Sequence, residues 1–373
     1  MIVTGGASGI DIETVKSLAG ARASVTIAAR RVGAAEEVAE ALRKKTGNEK
    51  IDVRPLDLSD LRSVRTFVAE WDKPLHALIN NAGIIALPEL ERSPEGWEMQ
   101  FATNFLGHFA LTLGLRPHLA RAQGARVVSV SSTGSLFGPV FWDDPHFRFM
   151  PYDPLLAYAQ SKTACILLSI GIKDRWVSDG IVSNALNPGA IETNLQRDTG
   201  GLRTPEHLRK TPEQGASTSV LLAGSPLVEG VNGRYFDHCQ EAPLVAQRPA
   251  GKLEGAAAYA LDSENAQALG HSRGNRRRAG WIHWASSHLM NPGVIIEAGR
   301  RYRYWDRLPL GDRRRLDLRP CRFARSECHE RRMHRSAGFR SDIAVHALVG
   351  LELKDIVRSV AEQHERDPRQ PIE

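Results

Sequence analysis

Cysteine is scarce, with four residues in 373. That is too few for a disulfide-stapled secreted scaffold, so a reducing, cytoplasmic setting is the expectation. Long apolar runs are missing too. None approaches the ~20 residues needed to span a bilayer, and no membrane partner is expected. The first nine residues, MIVTGGASG, lack the basic n-region of a signal peptide and turn glycine-rich after three positions. Hydrophobic residues at 42% and charged residues at 25% exclude a wholly disordered or collagen-like chain.

Lysine nearly vanishes from the last 103 residues, where 21 of 22 basic residues are Arg and Lys354 is the exception. Those residues also carry the whole net charge of +6: residues 1–270 hold 27 Lys+Arg against 30 Asp+Glu, and residues 271–373 hold 22 against 13. Such a break marks a boundary near Gly270, with a domain over 1–270 and an irregular Arg-rich extension over 271–373. Basic clusters such as Arg276–Arg278 near Trp281 and Trp284 allow a nucleic-acid contact. Cys321, Cys328, His329 and His334 match no zinc spacing, so no metal is expected. The Arg-to-Lys bias and irregular periodicity favour a third reading, a chain end without a selected function. Only 343–364 has helical periodicity, through Ile343, Leu348, Leu351, Ile356 and Val360.

The first 270 residues alternate between two periods. Ile2–Thr4, Val25–Ala29, Ile51–Leu56, Leu75–Ile79, Arg126–Val130 and Ile181–Leu186 read as strands. Helical patterns run through Ile12, Val15 and Leu18, then over Ala34–Lys45, Leu61–Trp71, Trp97–Leu113 and Ala157–Trp176. This alternation predicts an α/β fold, a doubly wound and mostly parallel Rossmann-type sheet, with ligands at the carboxyl ends of its strands. Thr4-Gly5-Gly6-Ala7-Ser8-Gly9-Ile10 joins the first strand to a helix, where free N–H groups favour a pyrophosphate. The second strand ends in Ala29-Arg30-Arg31. An acid there would favour NAD; its absence, with two arginines to meet a 2′-phosphate, favours NADP, NAD remaining possible.

Seven motifs in order resemble the short-chain dehydrogenase/reductase family: TGGASGI at 4–10, Asp57, NNAG at 80–83, Asn104, VSS at 130–132, YAQSK at 158–162 and NPG at 187–189. The resemblance covers roughly 1–265. It is greatest to the retinol-dehydrogenase-like branch and its bacterial relatives, through the long stretch Thr133–Ala157 and the element Tyr152-Asp153-Pro154. It implies hydride transfer between an alcohol and a carbonyl, and assembly through helices into dimers or tetramers. Tyr158 and Lys162 share a helix face, and an ammonium beside a phenol stabilises the phenolate. Tyr158 is the expected acid/base, and Ser132, with Ser131 competing for the role, stabilises the substrate oxygen. The resemblance further implies that Lys162 holds the nicotinamide ribose and that Asn104 holds a relay water. It sets Asp57 and Leu58 at the adenine, and Asn81, Ala82 and Gly83 beside the adenosine ribose. It sets Pro188, Gly189 and Thr193 at the nicotinamide, with Thr4, Gly5, Ser8, Gly9 and Ile10 at the phosphates. Aromatics over Gly134–Pro154 (Phe137, Phe141, Trp142, Phe147, Phe149, Tyr152) suggest a pocket for an apolar substrate, or a core or interface role.

Three departures stand out. Asp11 replaces the third glycine of the turn, where a carboxylate is expected to weaken cofactor binding. The first strand starts almost at Met1, which is expected to lower stability. The family-like sequence stops near Ala268. A catalytically impaired member is therefore the alternative reading, with nucleic-acid binding through the basic extension as another.

Overall fold

The computed structural model describes residues 1–6, 9–193, 195–196, 201–202, 204–250 and 253–268. Ser8, the Arg-rich extension beyond Gly270 and the helix expected near 343–364 lie outside the described residues.

The core is an eight-stranded sheet in the order β3-β2-β1-β4-β5-β6-β7-β8. The strands are β1 (Ile2–Thr4), β2 (Val25–Ala29), β3 (Ile51–Pro55), β4 (Ala77–Asn80), β5 (Ala125–Val130), β6 (Ile181–Asn187), β7 (Tyr235–Asp237) and β8 (Gln240–Glu241). The first seven pair in parallel and β8 closes an antiparallel hairpin. The order reverses between β1 and β4, and this switch point opens the crevice where such sheets take ligands. β3 stops at Pro55, one residue short of the strand expected over Ile51–Leu56, so Asp57 lies two residues beyond it.

Helices cover both faces. α1 (Ile10–Gly20), α2 (Val32–Thr46) and α7 (Pro212–Gly224) pack on one side, with Val3, Ile27, Ile79 and Val128 facing them. α3 (Leu61–Ala69), α5 (Gly107–Arg121) and α6 (Pro154–Trp176) pack on the other, against Ile2, Leu78, Val127 and Ile181. Alternate strand residues thus feed opposite cores, so the strands read as unbroken apolar runs. α6 starts on an Asp153 cap and Pro154. It is long and apolar enough to cross a membrane by length and composition, yet almost all of it is buried inside the protein.

The helix expected over Trp97–Leu113 is longer and broken. A short α4 (Met99–Phe101) runs into a π-turn (Ala102–Leu106) and then into α5, which continues past Gly114 and Pro117 to Arg121. Gly114 lies against Val68, and Gly107 lies against the Leu58 carbonyl. Packing therefore overrides two residues that would otherwise signal a helix end. A small closing unit follows the sheet: β9 (Leu244–Val245), β10 (Ala256–Ala257), α8 (Ala258–Leu261) and α9 (Ser263–Ala268). Ala266 joins the core beneath α6.

A Cβ at position 107 would stand 2.1 Å from the Leu58 carbonyl oxygen. Gly107→Ala is expected to destabilise the fold by about 3 kcal/mol. A denaturant midpoint equal to that of the natural chain would refute the close helix–loop contact.

Candidate functional site

The carboxyl ends of β1 and β4 are tied by one hydroxyl. Thr4 Oγ1 accepts from the N–H groups of Asn81 (2.9 Å) and Ala82 (3.1 Å). It also stands 2.8 Å from His108 Nε2, while His108 Nδ1 lies 2.9 Å from the Asn104 carbonyl. A carbonyl only accepts, so Nδ1 carries the imidazole proton and Nε2 receives that of Thr4. Burial holds His108 neutral, pushed down to about 4. No sequence motif marks His108; only its contacts show its place beside the site.

The two serines after β5 part company. Ser131 is buried and donates to the Lys162 carbonyl at 2.7 Å. Ser132 caps the following turn, its Oγ accepting from Gly134 N–H at 3.0 Å. A Cβ on Gly134 would meet the Tyr158 ring at 2.8 Å and Ser132 Oγ at 3.4 Å, so ring and hydroxyl both lie close to that glycine. Lys162 is buried below them. Its ammonium donates to the Val130 carbonyl at 3.1 Å and sits 5.6 Å from the Tyr158 ring centroid. Asn104, in the π-turn, bonds both polar groups of the Ile84 backbone and donates to Ser161 Oγ. Its Oδ1 and the Lys162 ammonium both face Gly83, where a Cβ would come within 3.2 Å and 3.4 Å of them.

The glycine turn bends at Gly9 with φ 58°, a left-handed conformation that suits glycine. A Cβ there would also strike the Thr193 methyl at 2.9 Å. Asp11 is buried in this turn. Its carboxylate takes the Asn81 side-chain amide and the Gly6 N–H, and burial pushes it up to about 7. Ile10 packs against Gly215 at the start of α7. Arg30 and Arg31 follow β2 and are exposed. Asp57 accepts from the Ser59 N–H and hydroxyl, and Leu58 is buried beside it. Pro188 and Gly189 follow β6, with Asn187 Oδ1 bonding the N–H groups of Gly189 and Thr133. This brings the turn alongside Ser132. The Thr193 hydroxyl donates to Gln196 at 3.2 Å and accepts from the Leu195 N–H.

The aromatic loop packs largely on itself. Phe141 meets Phe147, and Phe147 meets Tyr152, both edge-on. Phe147 is buried, Trp142 leans on the core, and Phe149 is 90% exposed. The Tyr152 hydroxyl donates to the Leu87 carbonyl and accepts from Gln100.

These features can be set beside known proteins. The short chain dehydrogenase family matches residues 1–201. A Streptomyces antibioticus protein named "Probable oxidoreductase" is 50% identical over 281 residues, covering 72% of this chain and 94% of that protein. Human "Retinol dehydrogenase 11" is 36% identical over 258 residues, covering 66% of this chain and 79% of that protein. Among solved structures, the Pseudomonas aeruginosa protein titled "RhlG/NADP active-site complex" has 26% identity and a TM-score of 0.51, covering 63% of this chain and 93% of that one. A mostly parallel sheet with its switch point at β1/β4, the ordered motifs and half-identity to an oxidoreductase agree, and the chain belongs to the short-chain dehydrogenase family of oxidoreductases.

Proposed function

We propose that this oxidoreductase carries out reversible, NADP(H)-preferring hydride transfer between a small alcohol and the corresponding carbonyl compound, in the cytoplasm and within a catalytic domain spanning 1–270. The observation that carries this reading is the grouping of Ser132, Tyr158 and Lys162 at the carboxyl end of β5, with the Tyr158 ring and Ser132 Oγ both close to Gly134 and the Lys162 ammonium 5.6 Å from the ring centroid. Gly83 and Gly134 lie close against this group, Gly83 by Asn104 and Lys162 and Gly134 by the Tyr158 ring and Ser132. The nicotinamide cofactor, when bound, supplies or takes the hydride.

The chain's own residues handle the proton. In reduction Tyr158 gives its hydroxyl proton to the carbonyl oxygen, and in oxidation it takes the alcohol proton. Ser132 Oγ receives the Gly134 N–H, which leaves its own proton free for the substrate oxygen. Lys162 places a fixed positive charge beneath the ring and holds the cofactor ribose. Asn104 Oδ1, facing Gly83 beside that ammonium, would hold the relay water. Arg30 would meet the 2′-phosphate, with Thr4, Gly5, Ser8, Gly9 and Ile10 at the phosphates. Asp57 and Leu58 would line the adenine, and Asn81, Ala82 and Gly83 the adenosine ribose. Pro188, Gly189 and Thr193 would close on the nicotinamide; Thr193 must give up its Gln196 bond to reach the carboxamide. The exposed Phe149 and the wall of Phe141, Phe147 and Tyr152 favour an apolar substrate body.

Tyr158→Phe is expected to lower kcat/KM for aldehydes and ketones by about 10²- to 10⁴-fold, with NADPH still bound. Activity surviving in that variant would sink the proton assignment. Replacing Arg30 and Arg31 by Ala together is expected to weaken NADPH about tenfold and leave NADH unchanged. An equal loss for both cofactors would place the 2′-phosphate elsewhere.

Asp11 gives a pH signature. Its carboxyl titrates near 7 in the folded chain, so above that pH it sets a negative charge among the turn's N–H groups. NADPH affinity is expected to fall about tenfold more between pH 6 and pH 8 in the natural chain than in Asp11→Gly. Parallel curves would show that the carboxylate does not feel the ligand. Stability moves in the same direction. The unfolded residue loses its proton near ~4 while the folded one keeps it to about 7, so stability falls as pH rises across that window, by up to ~1.4 kcal/mol per unit.

A further inference from the structure

Lys210 lies just before α7, against the turn that follows β6. Its backbone N–H donates to the Ala190 carbonyl at 2.8 Å, which pins the chain against the segment after β6. Its side chain then runs across the face of Gly189. A Cβ on that glycine would stand 2.8 Å from Lys210 Cδ and Cε and 3.0 Å from Nζ. Stem and ammonium are therefore both laid on the Pro188–Gly189 turn, and that turn is fixed beside Thr133 and Ser132 by the shared Asn187 Oδ1.

Lys210 as a residue is half-buried, and among the described residues no carboxylate or other acceptor pairs with its ammonium. The nearby charges are already used. Glu192 is held by Arg209 at 2.8 Å, and the same guanidinium also binds the carbonyls of Thr204 and Leu202. Asp237 accepts from the Asn187 amide. An ammonium that no described carboxylate neutralises, laid along the turn after β6, offers an uncompensated positive charge to an anion brought to that turn.

We propose that Lys210 is an anion-binding residue of this cleft, accepting a phosphate or carboxylate group of the bound ligand beside the Pro188–Gly189 turn. This rests on the dehydrogenase reading above for the identity of the cleft, and on the contacts of Lys210 itself for the charge. The anion has two sources, the pyrophosphate of the dinucleotide or an acidic group on the substrate. In the second case the substrate class narrows to carbonyl compounds that combine an apolar body with a carboxylate or phosphate.

The test compares Lys210→Met, which keeps the stem over Gly189, with Lys210→Arg, which keeps the charge. Binding of NADPH and of inorganic pyrophosphate is measured by calorimetry on the full chain. In parallel, kcat/KM is measured for benzaldehyde and 4-carboxybenzaldehyde. A loss of roughly tenfold for NADPH and pyrophosphate in Lys210→Met, restored in Lys210→Arg, assigns the dinucleotide as the source. A loss of that size for 4-carboxybenzaldehyde alone assigns the substrate. Unchanged values for all four compounds, or an equal fall for both aldehydes with cofactor binding intact, overturn the proposal. If the natural chain binds no NADPH, the dehydrogenase reading fails. The pyrophosphate titration still decides Lys210, which stands if the natural chain binds pyrophosphate and Lys210→Met does not, and falls otherwise.

Discussion

The imidazole of His108 is buried and neutral, and it bonds at both nitrogens to groups that carry the cleft. On one side is Thr4, whose hydroxyl gathers the N–H groups of Asn81 and Ala82 and so joins β1 to the turn after β4. On the other is the carbonyl of Asn104, in the π-turn, whose side chain fixes Ile84 and reaches Ser161 on α6. Three elements on both sides of the switch point thus depend on one ring in one tautomer. In a buried network each unfilled donor or acceptor costs about 1–3 kcal/mol, so the network holds as a unit or loosens as one. The π-turn belongs to it. By widening the helix for five residues it sets Asn104 where its carbonyl meets His108 and its amide meets α6.

The upper layer of the site rests on that frame. α6 supplies Tyr158 and Lys162 from a helix whose remainder is core, so the two side chains are aimed by packing along its length. Ser131 ties the Lys162 backbone to β5, and the Lys162 ammonium ties itself to Val130 on the same strand. At Gly83 and Gly134 the bare backbone lies close against these side chains, where a Cβ would press on Asn104 and Lys162 or on the Tyr158 ring.

Much of this was legible in the sequence, and for a physical reason. Parallel strands buried on both faces leave short apolar runs, and turns at their carboxyl ends leave glycine and small polar residues, so the sheet and its motif positions follow from pattern. Features that depend on three-dimensional proximity left no such mark. The π-turn looks like ordinary helix, because its residues Ala102–Leu106 have ordinary helix composition. The short β7 is three residues of an unremarkable run and is a strand because β6 lies beside it. Gly114 and Pro117 read as a helix end, yet α5 passes through both. Ser131 and Ser132 were separable only by family habit; in the folded chain one faces the Lys162 backbone and the other the Tyr158 ring. Lys210 carries no motif at all, and its position over Gly189 emerges only when the segment after β6 returns to α7.

The aromatic loop changes meaning once its contacts are known. Asp144 accepts from three successive N–H groups at Arg148, Phe149 and Met150, and Arg92 binds the carbonyls of His146 and Phe147. Gln160 of α6 bonds the Pro145 carbonyl from beneath. A loop held by side chains from several elements is fixed in shape, and its aromatics are spent on packing against one another. The segment between β6 and α7 is built differently. Arg209 gathers its carbonyls and Glu192 at one point, and the Lys210 N–H closes its base on Ala190.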